Sequence, residues 1–293
     1  MGSDQHYPKE APAHRVRVDS FWMDATAVTN EEFARFVDET GHVTFCERPA
    51  RPEDYPGVPP EALAPASAVF SPPTAVFNRN DAYVWWSYVQ GADWRHPKGP
   101  ASSIEGLAKH PVVHIGYEDA VAYAQRAGKE LPSEAEFEFA ARGGLDGKPY
   151  VWGDELHPGG RMMANTWQGE FPWENACDDG YYWTSPVGSY PANGYGLYDM
   201  AGNVWEIVSD HYHPQAYTLP SATVPNPVGP SSEDARQAGI EVPSFVTKGG
   251  SFLCSDVWCK GYQPGSRGEI DNESPANHTG FRCVKDHDVP AGE

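Results

Sequence analysis

Polar and apolar positions alternate from His14 to Asp19 and then give way to the apolar run Phe21-Trp22-Met23, the pattern of a half-buried strand. Beyond it the period lengthens. Phe33, Phe36 and Val37 fall on one helical face, Thr29 and Glu32 form a capping pair at its start, and Gly41 is placed to end it. The run from His110 to Ile115 reads as a buried strand. Two more helices are predicted, from Glu118 to Ala127 ending near Gly128, and from Glu134 to Arg142 ending at Gly143, with Ser133 and Glu136 repeating the capping pair. Two stretches resist any regular period. Residues 46–82 carry Pro49, Pro52, Pro56, Pro59, Pro60, Pro65, Pro72 and Pro73, which makes regular structure there improbable, and residues 211–244 form a second proline-rich insertion. From residue 150 onward, short aromatic-rich pieces separated by Gly, Pro and Asn predict irregular β structure bound by loops. With no linker, internal repeat or low-complexity tract, the pattern predicts one α+β domain over residues 1–293.

Charge narrows the partners. The 293 residues include 41 acidic and 21 basic side chains, a formal net charge of −20, which argues against nucleic acid and against anionic membrane surfaces. No apolar stretch approaches the roughly twenty residues of a membrane-spanning helix, and the start of the chain lacks a basic segment followed by an apolar one. A soluble, unexported chain in the cytoplasm is the expectation. Five cysteines, an odd number widely spread, suit a reducing compartment better than a disulfide framework. Ten Trp and fifteen Tyr among many Gly and Pro describe a globular chain rich in loops.

The candidate chemistry lies in Lys248-Gly249-Gly250-Ser251-Phe252-Leu253-Cys254-Ser255-Asp256-Val257-Trp258-Cys259. Five steps along a strand put Cys254 and Cys259 on opposite faces, and five steps along a helix leave them well apart, so converging sulfurs require a loop. Gly249 and Gly250 supply the freedom to bend into one. Such a pair is open to several uses: a disulfide, half a zinc site, two buried small side chains, or linear two-sulfur coordination of a soft ion such as Cu(I). Zinc falls behind, because no second Cys or His cluster follows to complete four ligands.

An ordered series of stretches covering nearly the whole chain resembles the formylglycine-generating enzymes, or sulfatase-modifying factors. It runs from Asp24-Ala25-Thr26-Ala27-Val28-Thr29-Asn30 through Trp94-Arg95-His96-Pro97 and Leu131-Pro132-Ser133-Glu134-Ala135-Glu136-Phe137-Glu138. It continues through Trp167-Gln168-Gly169-Glu170-Phe171-Pro172, Asn193-Gly194-Tyr195-Gly196-Leu197-Tyr198-Asp199-Met200 and Gly202-Asn203-Val204-Trp205-Glu206 to the cysteine segment and Thr279-Gly280-Phe281-Arg282-Cys283. The resemblance implies a single-domain C-type-lectin-like fold with little regular secondary structure. It implies an oxidase in which Cys254 and Cys259 bind Cu(I) and O2 converts a peptidyl cysteine, in a sulfatase-type Cys-x-Pro-x-Arg motif, to Cα-formylglycine. The substrate cysteine would join the two thiols as a third sulfur ligand. Ser251 and Trp205 match residues beside the family's active site, and Arg267 and Trp258 match substrate-groove positions. Ser251 has a second use as a turn-stabilising hydroxyl, Trp205 as packing, and Arg267 as a solvated arginine. Two structural calcium sites carry over: Asn165, the Thr166 carbonyl, Asp179 and the Tyr181 carbonyl; and Asp199, the Gly202 and Val204 carbonyls, and Glu206. The implied partner is an unfolded cysteine-containing polypeptide, a sulfatase above all, acted on by a monomer.

The chain departs from the family at Lys260-Gly261-Tyr262-Gln263-Pro264-Gly265-Ser266, where arginines usually flank the tyrosine, and at Trp258, where tyrosine is usual. These departures keep two alternatives open: a copper oxidase of another cysteine-containing peptide or small thiol, and a non-catalytic lectin-like binding module whose cysteines are structural.

Overall fold

The computed structural model describes residues 1–73, 82–240, 244–271 and 274–287. Parts of both proline-rich stretches, residues 74–81 and 241–243, lie outside the described residues. The elements run β1 (Phe21–Met23), α1 (Asn30–Thr40), β2 (Ala66–Phe70), β3 (Trp86–Gln90), α2 (Tyr117–Arg126) and α3 (Glu134–Arg142). They continue with β4 (Trp205–His211), α4 (Ser232–Gln237), β5 (Ser244–Lys248), β6 (Gly268–Asp271), β7 (Thr279–Gly280) and β8 (Val284–Asp286).

The helices form where capping and period place them. Thr29 accepts from the Glu32 amide while Glu32 returns to the Thr29 amide, and Gly41 closes α1 in the left-handed region at φ 68°. α3 repeats the arrangement with Ser133, Glu136 and Gly143 at φ 55°. α2 begins one residue earlier than predicted and ends at Arg126. The strands differ more. The alternation from His14 pairs only over Phe21–Met23, against Val284–Asp286 of β8. The predicted strand His110–Ile115 is buried from Pro111 onward but, among the described residues, joins no sheet and bridges only from Pro111 to Thr29. A run buried on both sides has no alternation to report pairing. The proline-rich stretch 46–82, where regular structure was improbable, contains β2: Ala66–Phe70 lies between Pro65 and Pro72 and pairs antiparallel with β3. The second insertion holds α4, capped by Ser231.

The central sheet has the order β6-β5-β4-β7. β4 and β5 are antiparallel with Glu206 opposite Lys248 and a register shift between Ile207 and His211, while β7 lies parallel to β4. On one side Phe33, Trp94, Ile115, Ile207 and Phe281 form the main core. Burying each such side chain contributes about 1.5–3 kcal/mol. A second cluster around Phe137, Met200, Val208 and Val246 joins α3 to the sheet and reaches Cys254 and Tyr262.

Charges are buried in matched sets. Arg267 donates from Nε and Nη2 to the two oxygens of Glu134 at 2.7 and 2.8 Å, and Arg282 does the same to Glu206 at 2.6 and 2.7 Å. Lys248 Nζ reaches Glu138 at 3.2 Å, and Arg142 closes on the same carboxylate at 2.7 Å. These pairs tie α3 and β4 to the end of β5 ahead of the cysteine loop and, beyond it, to the residue that starts β6 and to the segment after β7. Among the described residues no helix is long and apolar enough to cross a membrane.

Candidate active site

The cysteine loop leaves β5 through Gly249 and Gly250, at φ 87° and 71°. A side chain at Gly250 would press on the backbone of Gly261 and Tyr262. That close approach folds the outgoing chain back onto the incoming one and brings the thiols together. Cys254 Sγ and Cys259 Sγ face each other at 2.6 Å, and Trp258 N–H donates to Ser255 Oγ at 3.1 Å. The convergence requires the loop that the spacing predicts.

The two thiols are not equivalent. Burial pushes Cys254 well above the usual thiol range, and its contact with Cys259 pushes it further. Cys259 is lowered, first by the hydrogen bond from Cys254 and then by the Gly261 backbone and the Lys9 ammonium. Of the two, Cys259 is therefore the thiol that ionises more readily, with the hydrogen bond from Cys254 as the chief cause.

Trp205, half-buried at the start of β4, stands against Gly261 and Gly268. A methyl at Gly261 would also sit 2.9 Å from Cys254 Sγ, so Gly261 is what allows the indole and the sulfur to share one wall. Trp258 stacks on Phe171 with centroids 5.8 Å apart and meets Trp85 edge-on at 5.4 Å. Trp85, just before β3, comes from the far side of the first proline-rich stretch. Ser251 is fully buried, and its hydroxyl accepts from the Leu253 amide at 3.2 Å. This is the turn-stabilising use.

Arg267 is a correction. It is 1 % exposed and is neither solvated nor in a groove: its guanidinium holds Glu134 and donates to the carbonyls of His213 at 3.0 Å and Lys9 at 3.2 Å. A bidentate buried partner outcompetes any role at the surface. Gly261, Phe171, Trp85 and the turn containing Tyr7 and Lys9 were not picked out as site residues. The glycine after the cysteines gave a signal only as a departure, and the others meet the loop through long-range packing.

The first calcium set is drawn together by its own hydrogen bonds. Asp179 accepts from the amides of Thr166 (2.9 Å) and Tyr181 (3.0 Å), and Asn165 Nδ2 donates to the Trp183 carbonyl at 2.8 Å. Asn165 Oδ1 is buried without a partner, and burial raises the Asp179 pKa. The orphaned Asn165 oxygen is a hard donor of the kind a hard cation takes, while Gln168 Nε2 donates to Asp179 Oδ2 at 2.8 Å and to the Thr166 carbonyl, so those oxygens already have partners. The second set fits less well. Both Glu206 oxygens are taken by Arg282, and Asp199 Oδ2 accepts from the Gly188 amide at 2.7 Å, so the carboxylate charge at Glu206 is already matched. Among the described residues no group of three His, Cys, Asp or Glu side chains forms a metal cluster. The paired thiols, two soft donors with no hard donor between them, suit Cu(I).

Comparison with known proteins settles the family. Residues 1–287 match the family described as the sulfatase-modifying factor enzyme 1-like domain. The chain belongs to the formylglycine-generating enzyme family. It is 46 % identical to the formylglycine-generating enzyme of Mycobacterium tuberculosis over 98 % of this chain and 94 % of that protein. The mouse formylglycine-generating enzyme is 42 % identical over 98 % of this chain and 72 % of its own. A cattle protein named inactive C-alpha-formylglycine-generating enzyme 2 is 33 % identical over the whole of this chain. Among solved structures, PvdO from Pseudomonas aeruginosa superposes with a TM-score of 0.62 at 23 % identity, covering 97 % of this chain and 89 % of its own, a likeness of fold. The fold is accordingly the C-type-lectin-like α+β architecture of this family, as the resemblance implied.

Proposed function

We propose that this chain converts a peptidyl cysteine to Cα-formylglycine, with Cu(I) held by Cys254 and Cys259 and O2 as oxidant. The observation that carries the proposal is the convergence of the two thiols in a loop walled by Trp205 and Gly261, with Cys259 the more readily ionised of the pair. Relatives at 41–46 % identity named as formylglycine-generating enzymes support the reaction class. Copper, when bound, supplies redox access to O2 and a third position for the substrate sulfur. The protein's part is positional. Cys259 gives up its proton the more readily of the two, and Cys254 releases its own when a cation replaces it. Trp205 and Trp258, each part-buried, present aromatic faces to a peptide, and buried Phe171 and Trp85 hold Trp258 in place. Ser251 fixes the turn through Leu253.

The substrate is an unfolded polypeptide, a sulfatase carrying Cys-x-Pro-x-Arg, and the protein acts as a cytoplasmic monomer. The net charge of −20 suits a basic peptide and neither nucleic acid nor an anionic membrane. Calcium at Asn165, Thr166, Asp179 and Tyr181 ties two loops together; at Asp199, Gly202, Val204 and Glu206 an ion must share Glu206 with Arg282.

Mass spectrometry of a Cys-x-Pro-x-Arg peptide incubated with Cu(I)-loaded protein, reductant and air tests the proposal. Copper- and O2-dependent replacement of the thiol by an aldehyde is the expected result. One copper bound per chain without conversion points to an oxidase of another cysteine-containing peptide or small thiol. No copper bound leaves the non-catalytic binding module.

A further inference from the structure

Trp205 hangs from a segment that is fixed elsewhere in the fold. It stands one residue before Glu206, where the pairing of β4 with β5 begins, and its amide donates to the His278 carbonyl at 2.9 Å. The ring of His278 in turn meets Trp86 with centroids 4.8 Å apart, one residue from the Trp85 that holds Trp258. Residues 275–279 are thus tied to the aromatic side chains on both sides of the thiols. A shift of this segment would move those side chains relative to each other.

Two fully buried side chains with no other part in the site fix the segment, Ser67 and His114. Ser67 Oγ stands 2.7 Å from the Pro275 carbonyl oxygen and 2.7 Å from His114 Nδ1, and His114 Nε2 is 3.0 Å from the Pro97 carbonyl. A carbonyl oxygen only accepts, so Nε2 carries the ring hydrogen, and the one hydroxyl hydrogen is shared between Nδ1 and Pro275. Burial pushes His114 down to about 4, in keeping with that neutral ring. Backbone bonds complete the clamp: the His114 amide donates to the Ala276 carbonyl at 3.1 Å, and the His114 carbonyl accepts from the Cys46 thiol at 3.3 Å. His114 makes all of these contacts at φ 60°, in the left-handed region that a bulky side chain rarely enters. Such a conformation persists only where the surroundings hold it, here through the ring and both backbone groups.

We propose that His114, acting through Ser67, is a positioning residue of the thiol site: it sets residues 275–279 and thereby the place of Trp205 against a bound peptide. This rests on the reading of Trp205 as one wall of a peptide-oxidising site, so one of its two tests is made without turnover.

The first test is NMR of 15N-tryptophan-labelled protein, in which the Trp205 indole N–H signal is the one lost in Trp205→Phe. Ser67→Ala is expected to shift that signal and to leave the signal of Trp22, exposed on β1, in place. The second test is steady-state kinetics of the Cu(I)-loaded protein with a Cys-x-Pro-x-Arg peptide. KM should rise about threefold or more, the worth of one hydrogen bond, with kcat changed less than about twofold. A purely structural loss would lower the melting temperature and the active fraction, and so kcat, without moving KM. His114→Asn tolerates the left-handed backbone and is too short to bridge Ser67 and Pro97, so it should give the same two changes and carries the test if Ser67→Ala misfolds. An unmoved Trp205 signal, or an unchanged KM in an active variant, overturns the proposal. If the parent protein oxidises no peptide, the oxidase reading fails, and the Trp205 signal alone decides whether the pair places the indole.

Discussion

The cysteine loop and the ionic layer that leads into it are both buried and both polar, yet they are built on opposite terms. In the layer each of these cations meets a carboxylate, Arg267 on Glu134, Arg282 on Glu206, and Lys248 with Arg142 on Glu138, while Asp210, beside Glu134, is pushed up to about 7 by burial and by that carboxylate. In the loop two like groups face each other; burial and their contact push Cys254 up, and the contact draws Cys259 down. One of the two thiols is thereby the easier to ionise. Scaffold and thiol loop are thus separate in the fold, with Arg267 and Arg282 returning to the layer after the loop.

Opposite responses to substitution test that separation most strongly. Arg267→Ala removes the bidentate partner of buried Glu134, leaving it Lys248 at 3.8 Å and the Tyr217 hydroxyl at 2.8 Å, and should cost about 3 kcal/mol of unfolding free energy. Cys254→Ser or Cys259→Ser should abolish high-affinity Cu(I) binding and turnover while moving stability by only about 1 kcal/mol. Urea denaturation of each variant, read beside copper titration, decides the matter. A Cys254→Ser protein that unfolds as readily as Arg267→Ala would show that the loop is part of the scaffold.

A smaller effect separates the thiols of the loop from those of the core. Burial pushes Cys46 and Cys283 up to about 12, and the Cys46 thiol donates to the His114 carbonyl at 3.3 Å. Cys177, less buried, is raised by partial burial and then by Asp179 and Asp178. The thiolate is the reactive form and its fraction rises as pH passes the pKa, so a lowered pKa brings labelling to lower pH and a raised one delays it. Iodoacetamide labelling of the folded, metal-free protein, followed by peptide mapping, should find Cys259 modified first as pH rises. Cys46 and Cys283 should remain unmodified until the protein unfolds. Labelling of Cys283 before Cys259 would break the ranking that puts Cys259 first.

Much of this was legible in the sequence, and the division follows physics. α3 was predicted from Glu134 to Arg142, the bounds it adopts, because capping and termination act within a few residues. The thiol loop was legible because the spacing of Cys254 and Cys259 excludes convergence on a strand or helix. β2 was hidden because the prolines flank it and do not enter it. Arg267 misled because ion pairing with Glu134 spans 133 positions, and no local pattern separates a buried arginine from a solvated one. Trp85 and Phe171 escaped notice as site residues for the same reason. Their meeting with Trp258 is a product of the whole fold.

The finest division between scaffold and chemistry runs through Trp258. It belongs to the loop, yet it packs on Phe171 and Trp85, which belong to the aromatic core, and it replaces the family's usual tyrosine. If its work is packing, Trp258→Tyr keeps an aromatic face on Phe171 and costs no more than the weakened ring contacts, about 0.5–1.5 kcal/mol for each pair. If it also presents a face to the peptide, the smaller ring changes KM for a Cys-x-Pro-x-Arg substrate with little change in kcat, because contact made equally in the bound and reacting states alters binding alone. The expected result is that second pattern, a KM change within about tenfold, since a contact of that size is worth no more than about 1.4 kcal/mol. Steady-state kinetics of the variant checks it. A fall in kcat with KM unchanged would move Trp258 from the peptide wall to the reacting centre and draw the boundary one residue nearer the sulfurs.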